Sequence, residues 1–155
     1  MSASAPAAIP SAQLARTVRR FAARTGLWRP LVRFTAPDRS YRRLERTDAY
    51  EVWLLTWLPG QGTEIHDHGG SAGSFGVVAG TLTEHAFPAP ADGGRRLGTG
   101  DVRAFGPGYV HQVTNADERP AVSIHAYAPA LTTQTYYRRE ADGRLAVVRT
   151  DTITD

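Results

Sequence analysis

Cysteine is absent from the 155 residues, which excludes a disulfide framework, thiolate metal sites and a cysteine nucleophile. Any metal must therefore be held by histidine or carboxylate side chains. Lysine is absent too: all 18 basic residues are arginines, spread from Arg16 to Arg149 among 15 acids. The formal charge of +3 and the pI near 9.7 thus arise without the dense basic run or stacking array that nucleic acid requires, and no nucleic-acid partner is expected. No stretch approaches the ~20 uninterrupted apolar residues of a membrane span. The alanine-rich start MSASAPAAIPSA has neither a basic leader nor a long apolar centre. These absences imply a soluble, cytoplasmic protein without a membrane partner.

Hydrophobic residues make up 41% and charged residues 21%, ordinary globular usage, and the length is about one domain at ~100–200 residues per domain. The small, proline-punctuated residues 1–12 read as a disordered tail, and 13–155 as a single domain. From Ser11, a residue type that caps helices, Leu14, Val18 and Phe21 recur at helical spacing with Arg16, Arg19 and Arg20 on the other side. This predicts one amphipathic helix ending near Gly26. After Pro37 the texture changes. YRRLERTDAYEVWLLTWL, FGVVAGTLTEHAF, AVSIHAYA and LAVVRT are rich in β-branched and aromatic residues between Gly, Pro, Asn and Asp punctuation. The main body is therefore all-β, an antiparallel sandwich or jelly-roll barrel, with Asp142-Gly143 as the turn of a late hairpin.

Four of the five histidines fall in two clusters. In PGQGTEIHDHGGSAG, His66 and His68 are two apart, so on a strand both imidazoles project to one face and Asp67 to the other. An isolated His-x-His pair is a weak motif. A site with open positions needs a third ligand from another strand, and His111, in GDVRAFGPGYVHQVTN after the turn-forming Gly100, Gly106 and Gly108, is the natural candidate. Glu64 and Asp67 are candidates to orient His66 or His68 from behind. His85 and Glu84 read as surface residues.

The two segments resemble the two signature motifs of the cupin superfamily. The first is met by Gly60, His66, His68, position 73 and Gly80. Gly100, Gly108, His111 and Asn115 meet the second, whose usual proline is displaced by one, to Pro107. Where most metal cupins carry an acidic fourth ligand, this chain has Gly73. The ligand set implied is then three neutral imidazoles, which leave the ion its double positive charge and three adjacent open positions. That suits a redox iron, Fe(II), although zinc and nickel also accept imidazole.

A three-histidine cupin without the acid is similar to the thiol dioxygenases. WLPGQGTEIHDHGGSAG, with Trp57, Asp67 and Ser71, and AVSIHAYAPAL, with Ser123, His125, Tyr127 and Pro129, narrow the resemblance to the cysteine dioxygenase type I family, over about residues 41–131. It implies a cupin jelly-roll barrel with a short N-terminal helical element. It also implies cysteine catabolism: L-cysteine bound through sulfur and amine, and oxidised by O2 to cysteine sulfinic acid. Ser123, His125 and Tyr127 alternate and so share one strand face, where they can form a hydrogen-bonded relay toward the metal. In the family an arginine two residues after an early tyrosine holds the substrate carboxylate. Tyr41 and Arg43 supply that pattern, with Arg42 and Arg39 as alternatives. Some relatives link a cysteine near the first motif to the strand tyrosine, but Gly73 stands there and Tyr127 must act as a free phenol. The same site would also suit another small thiol acid such as 3-mercaptopropionate. A non-catalytic acid-binding cupin and a zinc isomerase or hydrolase are the rivals. The expected partners are a small thiol and O2, and the expected state is a monomer.

Overall fold

The structure, a computed structural model, describes residues 8–88 and 94–153. Helix α1 (Ser11–Ala23) buries Leu14, Val18 and Phe21, the stripe its periodicity marks, and leaves Arg16, Arg19 and Arg20 in solvent. Its first turn is held by the Pro10 carbonyl, which accepts from the Gln13 and Leu14 N–H groups, so Ser11 opens the helix rather than capping it. Half-buried Ile9 packs on the same apolar cluster, so ordered chain precedes residue 13, and most of the expected tail, residues 1–7, lies outside the described residues. The helix also stops earlier than Gly26. Arg24 leaves helical geometry, a single turn α2 (Thr25–Trp28) contains Gly26, and the buried Trp28 indole donates back to the Ala22 carbonyl at 3.0 Å. A 3-10 turn, Arg29–Leu31, follows.

The rest is β, as the composition indicates. Eleven strands follow in the described residues: β1 (Tyr41–Arg46), β2 (Glu51–Trp57), β3 (Ile65–His66), β4 (Ala72–Ala79), β5 (Thr81–Phe87), β6 (Arg95–Gly98), β7 (Val102–Phe105), β8 (Val110–Thr114), β9 (Ala121–Ala128), β10 (Thr133–Arg139) and β11 (Leu145–Thr152). All named pairings are antiparallel, in two sheets ordered β1-β2-β9-β4-β7 and β11-β10-β3-β8-β5-β6. The β10–β11 hairpin turns at Asp142-Gly143, where Gly143 takes φ +85° and its N–H bonds the Glu140 carbonyl.

Strand β9 positions the site. Val122, Ile124, Ala126 and Ala128 lie on the outer face of their sheet, in one apolar cluster with Leu14, Val18 and Phe21 of α1. Ala121, Ser123, His125 and Tyr127 take the inner face, toward Trp57, Phe75 and Val113. Every residue of β9 is consequently buried. Each large side chain that α1 contributes stabilises this arrangement by about 1.5–3 kcal/mol.

Candidate metal centre and its cavity

His66 ends β3, and its neighbours across the sheet are His111 on β8 and Tyr136 on β10. His68 falls just past β3, in a turn that Asp67 holds: Asp67 Oδ1 accepts the N–H groups of Gly69 and Thr135, both at 3.0 Å, and Oδ2 accepts the Tyr137 hydroxyl at 2.8 Å. Asp67 thus points away from the two histidines, as alternation requires, and braces the loop that carries them. The three imidazoles are buried, with ring centroids 4.8–4.9 Å apart, and each offers a nitrogen within 4.8 Å of the others.

Their outer contacts differ. His66 Nδ1 donates to the Glu64 backbone carbonyl at 2.8 Å, and His111 Nδ1 donates to the Glu84 carboxylate at 2.8 Å, so both present Nε2 to the centre. Both nitrogens of His68 are buried without a hydrogen-bond partner. An orphaned buried polar group costs about 1–3 kcal/mol, which a metal ion among the three rings would offset. The donor set fits a borderline divalent ion with open positions. Burial, then the neighbouring His111 ring, pushes His66 down to about 4, and His68 is lowered further by burial and both neighbouring rings. His66 and His68 are therefore neutral and ready to ligate near pH 7.

These depressed values set a pH dependence. Unfolded histidine takes a proton near pH 6.5, whereas folded His66 refuses it until about 4. The metal-free protein is expected to keep its full stability above pH 6.5 and to lose it progressively toward pH 4, read as a falling Tm. A flat Tm across that window would contradict neutral, buried rings.

Two sequence readings change here. Glu84 is not a surface residue: it is 3% exposed and faces the barrel interior beside Leu82, two positions away on β5. Glu64 orients His66 through its backbone carbonyl, while its carboxylate takes the Arg149 guanidinium at 2.7 and 2.9 Å. Position 73 has a steric explanation. A Cβ on Gly73 would sit 2.5 Å from Phe105 ring atoms and 3.1 Å from Tyr127, so the Phe105 ring occupies the space an acid or cysteine would need.

Behind the histidines, Trp57 Nε1 donates to Ser123 Oγ at 2.8 Å. Ser123 Oγ lies 2.7 Å from His125 Nε2, and His125 Nδ1 lies 3.3 Å from the Tyr127 hydroxyl. The indole fixes the direction of this chain. With one Ser123 lone pair taken and no exposure, the serine proton has one partner, His125 Nε2. Burial, then His111, holds His125 well below its ordinary value, so its single proton is on Nδ1 and is donated to the Tyr127 oxygen. The Tyr127 proton is left to be donated elsewhere, and burial, reinforced by Glu51, raises its pKa and keeps the phenol protonated. Phe75 stacks on the His125 ring at 5.1 Å, which holds its plane.

A cavity of about 670 Å³ opens over His66, His111, His125 and Tyr127. Arg39, Arg43, Glu51, Trp53 and Tyr136 line its walls. Arg42 is exposed and is not among the lining residues. Arg43 lies 5.5 Å over the Trp53 ring, and Arg39 lies 4.3 Å over Trp57. Among the described residues Arg39 has no hydrogen-bonded or ion-paired partner. Burial lowers its pKa, opposed by the phenols of Tyr127, Tyr136 and Tyr41. Glu51, 3% exposed, accepts the Trp53 indole at 2.6 Å and the Leu131 N–H at 2.9 Å, tying the wall to the segment after β9. Trp57 was legible only as a motif residue, and Glu51 and Tyr136 carried no sequence signal of their own.

Two antiparallel sheets enclosing three clustered histidines that could hold a metal ion define the fold as a cupin. The chain belongs to the cysteine dioxygenase type I family, which its sequence matches over residues 6–140. Solved structures with the same fold include a Thermus thermophilus protein, 22% identical at TM-score 0.58 over 66% of this chain and 93% of that one. Another is a double-stranded β-helix protein of Klebsiella pneumoniae, 20% identical at TM-score 0.58 over 78% and 93%. A cupin-superfamily sugar phosphate isomerase of Silicibacter pomeroyi is 24% identical at TM-score 0.55 over 72% and 76%. No helix among the described residues is long and apolar enough to cross a membrane.

Proposed function

We propose that this chain is an iron-dependent thiol dioxygenase that converts L-cysteine and O2 to cysteine sulfinic acid, both oxygen atoms passing to sulfur. The observation that carries the reading is the acid-free set His66, His68 and His111 beneath the directed chain Trp57, Ser123, His125 and Tyr127. Fe(II) held by the three imidazoles would supply open positions for thiolate and O2, together with the electrons that make O2 reactive. The protein's own part is orientation and protonation. Arg43, the arginine of the family pattern, and Arg39 form the cationic end of the cavity and take the substrate carboxylate through charge-assisted hydrogen bonds. Tyr127, receiving a hydrogen bond from His125, donates its own proton toward the reacting atoms, and the aromatic walls exclude water. The role belongs to a cytoplasmic protein acting as a monomer.

A second reading keeps the site and changes the thiol. The two arginines recognise a carboxylate, which 3-mercaptopropionate shares, and the Glu51 carboxylate already accepts two N–H groups rather than awaiting a substrate amine. Oxygen uptake by iron-reconstituted protein, with sulfinate quantified, separates the readings. One sulfinate per O2 with cysteine preferred is the expected result. Preference for 3-mercaptopropionate reassigns the substrate, and no uptake with iron bound rejects a dioxygenase in favour of a binding module or a zinc enzyme.

A further inference from the structure

Two of the three metal-site histidines are held from behind, and by different devices: a backbone carbonyl for His66 and the Glu84 carboxylate for His111. Glu84 is almost wholly buried, and both of its oxygens are engaged. Oε1 accepts Arg103 Nε at 2.8 Å, while Oε2 accepts His111 Nδ1 at 2.8 Å and the Tyr109 hydroxyl at 3.0 Å. The ring it grips is thus fixed in both tautomer and rotation. Tyr109 also packs edge-on to His111 at 5.2 Å and stacks on Phe105 at 4.6 Å, so the carboxylate sits in a rigid frame. Phe105 is the ring that fills the space beside Gly73. The barrel therefore blocks an acid at position 73 and buries one a single imidazole away from the centre.

We propose that Glu84 is a positioning residue that delivers the site's negative charge through His111. It holds the Nε2 lone pair on the centre and makes His111 the most electron-rich of the three ligands, while leaving the open positions free. This rests on reading the three histidines as a divalent metal site. A hydrogen bond to an ionised carboxylate is roughly twice as strong as one to a neutral acceptor such as the carbonyl behind His66. It raises the basicity of the ligating nitrogen. Arg103, about one-third exposed, balances the buried charge at its other oxygen without touching the ligand.

The test uses Co(II) as the probe, with affinity from chelator competition and ligand field from visible absorption. Glu84→Gln keeps the shape of the side chain and removes its charge. It is expected to weaken Co(II) binding about 10–100-fold and to shift the absorption bands. Glu84→Asp, which retains the charge at a shorter reach, should recover part of the affinity, and Arg103→Ala should leave it at the wild-type value. A purely structural Glu84 would instead make Glu84→Gln and Arg103→Ala lower the metal-free Tm alike and leave affinity and spectrum unmoved, which overturns the proposal. Nitrogen-15 NMR of the metal-free wild type reads the same point without a substitution: protonation at Nδ1 of His111 is expected, and protonation at Nε2 overturns it. If the wild type binds no Co(II), the metal-site reading itself fails, and the proposal with it.

Discussion

His68→Ala is expected to abolish metal binding and, with it, turnover, while leaving the metal-free protein close to wild-type stability. The reason is the imbalance around that ring. His68 is buried with both nitrogens unpartnered, so truncation strands no donor or acceptor and removes two orphans. What it loses is packing against Phe105 at 4.8 Å and Tyr127 at 5.3 Å. His111→Ala also loses the metal, but it strips a hydrogen bond from the buried Glu84 and should destabilise the metal-free fold by about 1–3 kcal/mol more than His68→Ala. Chelator competition gives the metal affinities and thermal unfolding of the metal-free variants gives the difference. Stoichiometric metal and normal turnover in His68→Ala would remove this residue from the ligand set.

The second large effect concerns the arginines. Arg39→Ala is expected to raise KM for cysteine about 10–100-fold with metal content unchanged, because a hydrogen bond to a charged group contributes about 1.5–3 kcal/mol and each 1.4 kcal/mol is tenfold. Arg43→Ala is expected to act in the same direction. The discriminating substrate is 2-aminoethanethiol, cysteine without its carboxyl group. Its turnover should be slow in the wild type and no slower in either variant. If neither substitution changes KM for cysteine, the carboxylate is held elsewhere. If only Arg39→Ala does, the anchor is the arginine packed on Trp57 rather than the one the family pattern selects. Arg39→Lys should recover little, since an ammonium cannot reproduce the guanidinium fork.

The ligand set was legible in the sequence because its information is local. The two-residue step from His66 to His68 puts both rings on one side of the chain, and the turn glycines before His111 announce a new strand. The alternation of Ser123, His125 and Tyr127 likewise survives folding unchanged, since period two needs only an extended backbone. Glu84 was missed for a different reason. Its inward position follows from the alternation it shares with Leu82, yet a lone glutamate is assigned to solvent until Arg103, Tyr109 and His111, all distant in the sequence, arrive to satisfy it. Arg39 precedes β1 and has no periodicity to place it. Only its seat on Trp57, eighteen positions along the chain, brings it to the cavity. The crowding of Gly73 by Phe105 is equally non-local. A missing acid can be read from the sequence, but the ring that excludes it cannot.

Strand β9, covered by α1 on one side and by the barrel interior on the other, has a bearing on how this protein can change. A strand with a wet face can absorb drift there while its dry face is held constant. Here Ile124 and Ala126 are packed against the helix as firmly as His125 is packed against Phe75. Any gain of bulk under α1 is transmitted through a shared backbone to the serine, the imidazole and the phenol. The helix and the relay are bound to evolve as a unit, and the freedom to retune the substrate falls to the far wall of the cavity, where Arg39, Arg43 and Tyr136 stand on separate segments.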